Sequence, residues 1–164
     1  MIIPYHRSLA VDYATKWALT KNPRFFNFDK LGGDCTNFVS QCLLAGKCIM
    51  NYTKTFGWYY TGLNNYSPSW TGVNFLYKFL TSNKVAGPFA NEIDMSDIEV
   101  GDIVQLNFQD DTLFEHSLVI TSISYPINYS NILICSHTRN RLNEPLSSIN
   151  FAKAKFLHIM GSYK

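Results

Sequence analysis

Cys35 follows Gly32-Gly33-Asp34 and opens the run Thr36-Asn37-Phe38-Val39-Ser40-Gln41-Cys42-Leu43. If that run is a helix, the thiol sits at its positive dipole end among unpaired N–H groups, which favours thiolate, the nucleophilic form. The two glycines let backbone approach a ligand closely. A substrate carbonyl can then reach the sulfur, with the Cys35 N–H aimed at the oxyanion and Gly33 and Asp34 as positioning residues beside it. The alternative is that Cys35 is a small buried hydrophobe, the role assigned to Cys42, Cys48 and Cys135.

A cysteine nucleophile needs a base. His116 opens the apolar stretch Ser117-Leu118-Val119-Ile120, and a packed strand holds an imidazole more rigidly than a loop does. Alternatively it is a strand-end histidine satisfied by backbone or water. A third group must fix the tautomer of the ring. His137, ending the next apolar stretch, is the first choice, with Asn140 and Asp34 as the others. His6 and His158 have no catalytic context. Thiolate and imidazole also bind zinc, so Cys35, His116 and His137 form an alternative ligand set, although the helix-start context favours a nucleophile. No metal or other cofactor is assigned.

These residues need elements to hold them. Leu9, Ala10, Tyr13, Ala14, Trp17 and Ala18 recur with the helical period until Asn22-Pro23. The second helix is expected from Asp34 or Cys35 to Ala45, with Asp34 as N-cap, Phe38, Val39, Cys42 and Leu43 as apolar face, and Gly46 at the C-terminal cap. Val73, Leu76, Phe79 and Leu80 predict a third helix. After Gly101-Asp102 the period becomes that of strands, at 103–108, 116–123, 132–137 and 155–159, with a polar turn at 109–112 that makes the first two antiparallel neighbours. Helices first and then a strand meander is an α+β pattern, with N-terminal helices packed on an antiparallel sheet.

Gly32-Gly33-Asp34-Cys35-Thr36-Asn37-Phe38-Val39-Ser40-Gln41, Ser67-Pro68-Ser69-Trp70, Gly101-Asp102-Ile103-Val104-Gln105, His116-Ser117-Leu118-Val119-Ile120-Thr121 and Ser136-His137-Thr138 occur in that order. This set resembles the putative amidase domain family of bacterial proteins, which is in turn similar to the NlpC/P60 and CHAP groups of papain-like cysteine peptidases and amidases. The resemblance implies a papain-like α+β fold and amide hydrolysis through an acyl-thioester. It puts the nucleophile on Cys35, the base on His116 and the third polar residue on His137. The substrates implied are bacterial cell-wall peptides, so the partner is peptidoglycan or a peptide. The same residues would serve an acyltransferase, and the fold would also serve a non-catalytic wall- or glycan-binding module.

The 164 residues, 46% of them apolar, suit one domain over 1–164 with a core that needs no metal or disulfide. Fourteen Lys and Arg against twelve Asp and Glu, scattered, argue against nucleic-acid or anionic-membrane partners. No apolar run approaches the roughly 20 residues of a membrane span. The N-terminal residues lack the pattern of a signal peptide; the expected location is cytoplasmic, or outside by a non-classical route, or the chain is an excised domain. Seven of the 25 aromatic residues fall between Asn51 and Trp70. Trp58, Tyr59, Tyr60 and Trp70 are expected from this to line a substrate cleft by stacking on sugar or peptide faces, the alternative being that most of these rings cover the core under a long loop.

Overall fold

The computed structural model describes residues 1–164. Four helices, α1 (Arg7–Trp17), α2 (Cys35–Ala45), α3 (Pro68–Thr71) and α4 (Val73–Ser82), precede most of the strands. The principal sheet is antiparallel and contains β1 (Ile2–Ile3), β4 (Gly87–Ile93), β5 (Ile103–Asn107), β6 (His116–Ile123), β7 (Ile132–Ser136), β8 (Arg141–Pro145) and β9 (Lys153–Tyr163). A separate two-stranded ribbon is formed by β2 (Tyr60–Gly62) and β3 (Asn65–Tyr66). The molecule is therefore α+β on an antiparallel sheet.

Strands β5 through β8 run as the expected meander. β9 then returns to pair with β5, β4 and β1. Alternation along each strand divides the apolar residues between two layers. Ile103, Val119, Cys135, Leu157 and Ile159 face the helices, where they meet Phe38, Val39, Cys42 and Leu43 of α2. Val104, Leu106, Leu118, Ile120 and Ile134 take the opposite face, covered by Leu146 and Ile149.

Helix α2 is buried from Cys35 through Leu43, so each polar residue on it needs a partner. Thr36 Oγ1 bonds Ser117 Oγ at 3.0 Å, Asn37 Oδ1 accepts from Trp70 Nε1 at 2.8 Å, and Ser40 Oγ accepts from Trp58 Nε1 at 3.0 Å. Gln41 accepts from the Tyr13 hydroxyl. The polar residues of the motif thus lock α2 to the sheet, to α1 and to the aromatic segment. Gly46 closes the helix as expected, its N–H donating to Cys42 O at 2.9 Å.

Trp58, Tyr59 and Trp70 of the aromatic segment are core and not a cleft wall, while Tyr52 and Phe56 are exposed. Trp58 and Trp70 are 0% exposed, and their ring centroids lie 4.8 Å apart. Tyr59 is buried as well. Tyr60 is half-buried, with its hydroxyl accepting from the Phe26 N–H at 2.8 Å and its ring stacked on Trp70. These rings are committed to apolar packing and to indole and phenol hydrogen bonds, which leaves no face for a substrate. Ser67 and Ser69 are buried too, and bond each other at 3.0 Å.

Candidate active site

The chain enters α2 through Gly32 and Gly33 at φ +88° and +105°, a conformation that glycine adopts without steric penalty. A Cβ on Gly33 would stand 3.2 Å from Thr138 Oγ1, and that hydroxyl accepts the Asp34 N–H at 2.7 Å. The turn after β7 therefore holds the start of α2. Gly33 spends its own N–H on Phe28 O at 3.0 Å, so it has no donor to offer a ligand.

Asp34 occupies the N-cap position, but its carboxylate makes no bond to the helix N–H groups. It turns back onto the preceding loop, accepting from Phe28 N–H at 2.8 Å, Asn37 Nδ2 at 2.9 Å and Lys21 Nζ at 3.2 Å. His137 Nδ1 donates to Asp34 Oδ2 at 2.7 Å, and its Nε2 donates to Trp17 O at 2.6 Å. Burial opposes ionisation of Asp34, but the bonds from His137, Phe28 and Asn37 and the nearby Lys21 charge outweigh it and hold the carboxyl below its ordinary range. His137, stacked on Phe38, has both ring nitrogens committed. It does not orient His116, and neither does Asp34. The expected third member of a triad is instead part of a buried clamp joining α1, α2 and β7.

Cys35 is the first residue of α2 and is 6% exposed. Its Sγ lies 3.7 Å from Thr36 Oγ1 and close to the Ser117 and Thr36 backbone. The Cys35 N–H itself donates to no protein acceptor. Burial pushes the thiol up, and the donors around the sulfur offset only part of that. The expected bias toward thiolate is thus reversed in the free protein: desolvation exceeds the helix-end effect.

His116 begins β6 and has no hydrogen-bond partner in the protein. It lines a cleft of about 560 Å³ together with Phe108, Thr138, Arg139 and Arg141. Ser117 turns toward α2, so strand alternation sends His116 to the other face, beside Phe108. Burial, aided by the positive charge of Arg141, lowers His116 to about 4. It is therefore neutral, and able to accept a proton, at pH 7. The start of α2 and the start of β6 meet at the neighbouring residues, where Thr36 Oγ1 bonds Ser117 Oγ at 3.0 Å. No side-chain bond links Cys35 to His116. Cys35, His116 and His137 do not converge on a point that could hold a metal ion, so the zinc alternative is discarded. None of Trp58, Tyr59, Tyr60 and Trp70 lines the cleft, and Asn140 lies exposed in the turn that follows β7.

Sequence reasoning missed Arg141, which opens β8, is 8% exposed and faces the same cleft. Its only signal was a lone arginine two residues beyond Arg139 in a polar stretch. No helix is long and apolar enough to cross a membrane.

The model of a family described as "Putative amidase domain" matches residues 4–160. The chain is 30% identical over 120 residues to the uncharacterized protein YhbB of Bacillus subtilis (strain 168), covering 72% of this chain and 37% of that protein. It is 27% identical over 151 residues to the uncharacterized protein YjcM of the same organism, covering 86% of this chain and 32% of that one. The chain thus spans about a third of the length of these curated relatives. No solved structure matches it.

Proposed function

The chain belongs to the putative amidase domain family, and from that premise we propose that it is a cysteine-dependent amide hydrolase of papain-like type, related to the NlpC/P60 and CHAP groups and acting on bacterial cell-wall peptides. One observation carries the proposal. The first turn of α2 is tied to the start of β6 by the Thr36–Ser117 hydroxyl bond at 3.0 Å, so the residues that directly follow Cys35 and His116 are in contact.

In the free protein the pair is neutral, a thiol and an imidazole. A bound amide excludes water and places its carbonyl carbon at Cys35 Sγ. His116 opens β6 at the end of the strand, and its ring, held by no hydrogen bond, swings round that end to take the thiol proton as the C–S bond forms. Charge on the sulfur is met by the Thr36 hydroxyl, and the unpartnered Cys35 N–H is free for the oxyanion. His116 then passes the proton to the leaving amine, the C–N bond breaks, and water activated by His116 releases the acid from the thioester. His137 and Asp34 contribute by fixing the loop and helix start that carry Cys35.

The decisive experiment incubates wild type, Cys35→Ala and His116→Ala with peptidoglycan and mass-maps the released fragments. The proposal expects new carboxyl and amine ends from wild type, and a fall of roughly a thousandfold or more in both variants. Full turnover by Cys35→Ala removes the thiol from the chemistry. Wall binding without turnover favours a binding module, and capture of the acyl group by an added amine favours an acyltransferase.

A further inference from the structure

Two buried side-chain polar atoms lack any partner: Gln105 Oε1, closed inside the packing between sheet and helices, and Arg141 Nε. The second belongs to a residue that lines the cleft. Arg141 is more than nine-tenths buried, and its Nη1 donates to Glu144 Oε2 at 3.1 Å and to Ser148 Oγ at 3.3 Å. Those two bonds fix the plane of the guanidinium. Its other edge, Nε–H with Nη2, meets no protein acceptor. That edge presents two parallel donors spaced to match the two oxygens of a carboxylate.

A buried, charged donor left bare is destabilising, so the arrangement calls for an acceptor from outside. Arg139 and Arg141 line the cleft with Glu115, and Glu144 already pairs with Arg141 through Nη1, so what the bare edge lacks is a pair of acceptors. A ligand with a single acceptor would not satisfy that paired geometry.

We infer that Arg141 is a specificity determinant that grips a carboxylate of the substrate, so that the amide cut at Cys35 belongs to a molecule carrying a free carboxylate on the His116 side of the scissile bond. This rests on Cys35 and His116 being the reacting pair. A carboxylate seated there also partly neutralises the Arg141 charge felt by His116, whose other charged neighbours in the cleft are Glu115 and Arg139. Substrate binding therefore makes His116 a stronger base at the moment one is needed.

The test uses a matched pair of probes, N-acetylalanine and N-acetylalaninamide, titrated into Cys35→Ala protein carrying isotope-labelled histidine and followed through the His116 ring signals. The carboxylate should bind at least roughly tenfold more tightly than the carboxamide and move the His116 titration upward. Arg141→Lys, which keeps the charge but loses the fork, should erase most of that preference. Equal binding of the two probes to the Cys35→Ala protein overturns the inference even if the Arg141 variant fails to fold. So does a preference that survives in folded Arg141→Lys and Arg141→Leu. Cys35-dependent turnover with no carboxylate preference rejects the role of Arg141 alone. A carboxylate preference in a protein whose turnover ignores Cys35 rejects the hydrolase mechanism alone.

Discussion

The two faces of the sheet near the start of α2 treat their polar residues in opposite ways. On the helix face, Asp34 has four partners and both nitrogens of His137 are bonded to buried acceptors. On the other face, His116 has no partner and Arg141 keeps one edge of its guanidinium empty. A fully bonded polar group resists movement and specifies a fold; one with spare valence can respond to a ligand. Two histidines 21 residues apart, which look alike in the sequence, are thereby separated into a clamp and a ring left without a hydrogen-bond partner.

The sharpest way to break this contrast is to remove each histidine in turn. His116→Ala should lower turnover by roughly a thousandfold while shifting stability by under about 1 kcal/mol, compared by fragment release and urea unfolding. Equal loss of stability in both variants would erase the distinction. Trp70→Ala should destabilise by roughly 3–5 kcal/mol, because the ring is fully buried and its indole N–H holds Asn37. A variant that kept its unfolding midpoint but bound substrate poorly would return Trp70 to a cleft wall. His137→Ala should cost about 3 kcal/mol by leaving the Asp34 carboxylate with less compensation, visible as a lower thermal midpoint.

The pH dependence separates the faces by sign and window. His116 is lowered from an ordinary 6.5 to about 4, so between those values the unfolded chain binds a proton that the folded one refuses. This term is fully present above pH 6.5, and stability falls as pH drops from there toward 4, by up to roughly 1.4 kcal/mol per pH unit. His116→Ala should flatten that slope in urea titrations at several pH values. Asp34, lowered from its ordinary 3.8, contributes stability above that value and loses it as pH falls through its lowered value, so His137→Ala should weaken that acid-range fall. Smallest of all, Phe56→Ser should change stability by under about 0.5 kcal/mol, since that ring is 81% exposed; a marked loss would mean it packs as Trp58 and Trp70 do.

Much of the frame was legible because its signals are local. Helix α2 begins at Cys35 and ends at Ala45 as Asp34, the apolar face and Gly46 indicate, and β6 spans His116–Ile123 as read. β4 and β8 were missed: each is a peripheral strand with Pro, Asn and Glu in it, so alternation is weak. β1 and β3 have two residues each, too few to show a period. The site was legible as residue types but not as wiring. Asp34 meets His137 across 103 positions, a pairing no local pattern encodes. Aromatic rings separated by Gly, Ser and Asn look like a loop surface, yet they supply the buried partners that the polar side of α2 requires. The direction of the Cys35 shift was misjudged for the same reason: the donors at a helix start can be read from spacing, whereas the depth of burial that outweighs them cannot.

Strand β9 has consequences for assembly order. It carries eleven residues and pairs with β1, β4 and β5, which come from widely separated parts of the chain. Until residues 153–163 are in place, β4 lacks its ladder, β5 has β6 as its one neighbour, and Ile2 and Ile3 have nothing to pair with. The meander of β5 to β8 can form early from contacts between neighbours in sequence, while the sheet as a whole waits for the last strand to dock. Closing such long loops is slow in entropic terms. The start of α2 and the β5–β8 meander can therefore take shape first, and the full sheet should consolidate behind them in a later, rate-limiting step.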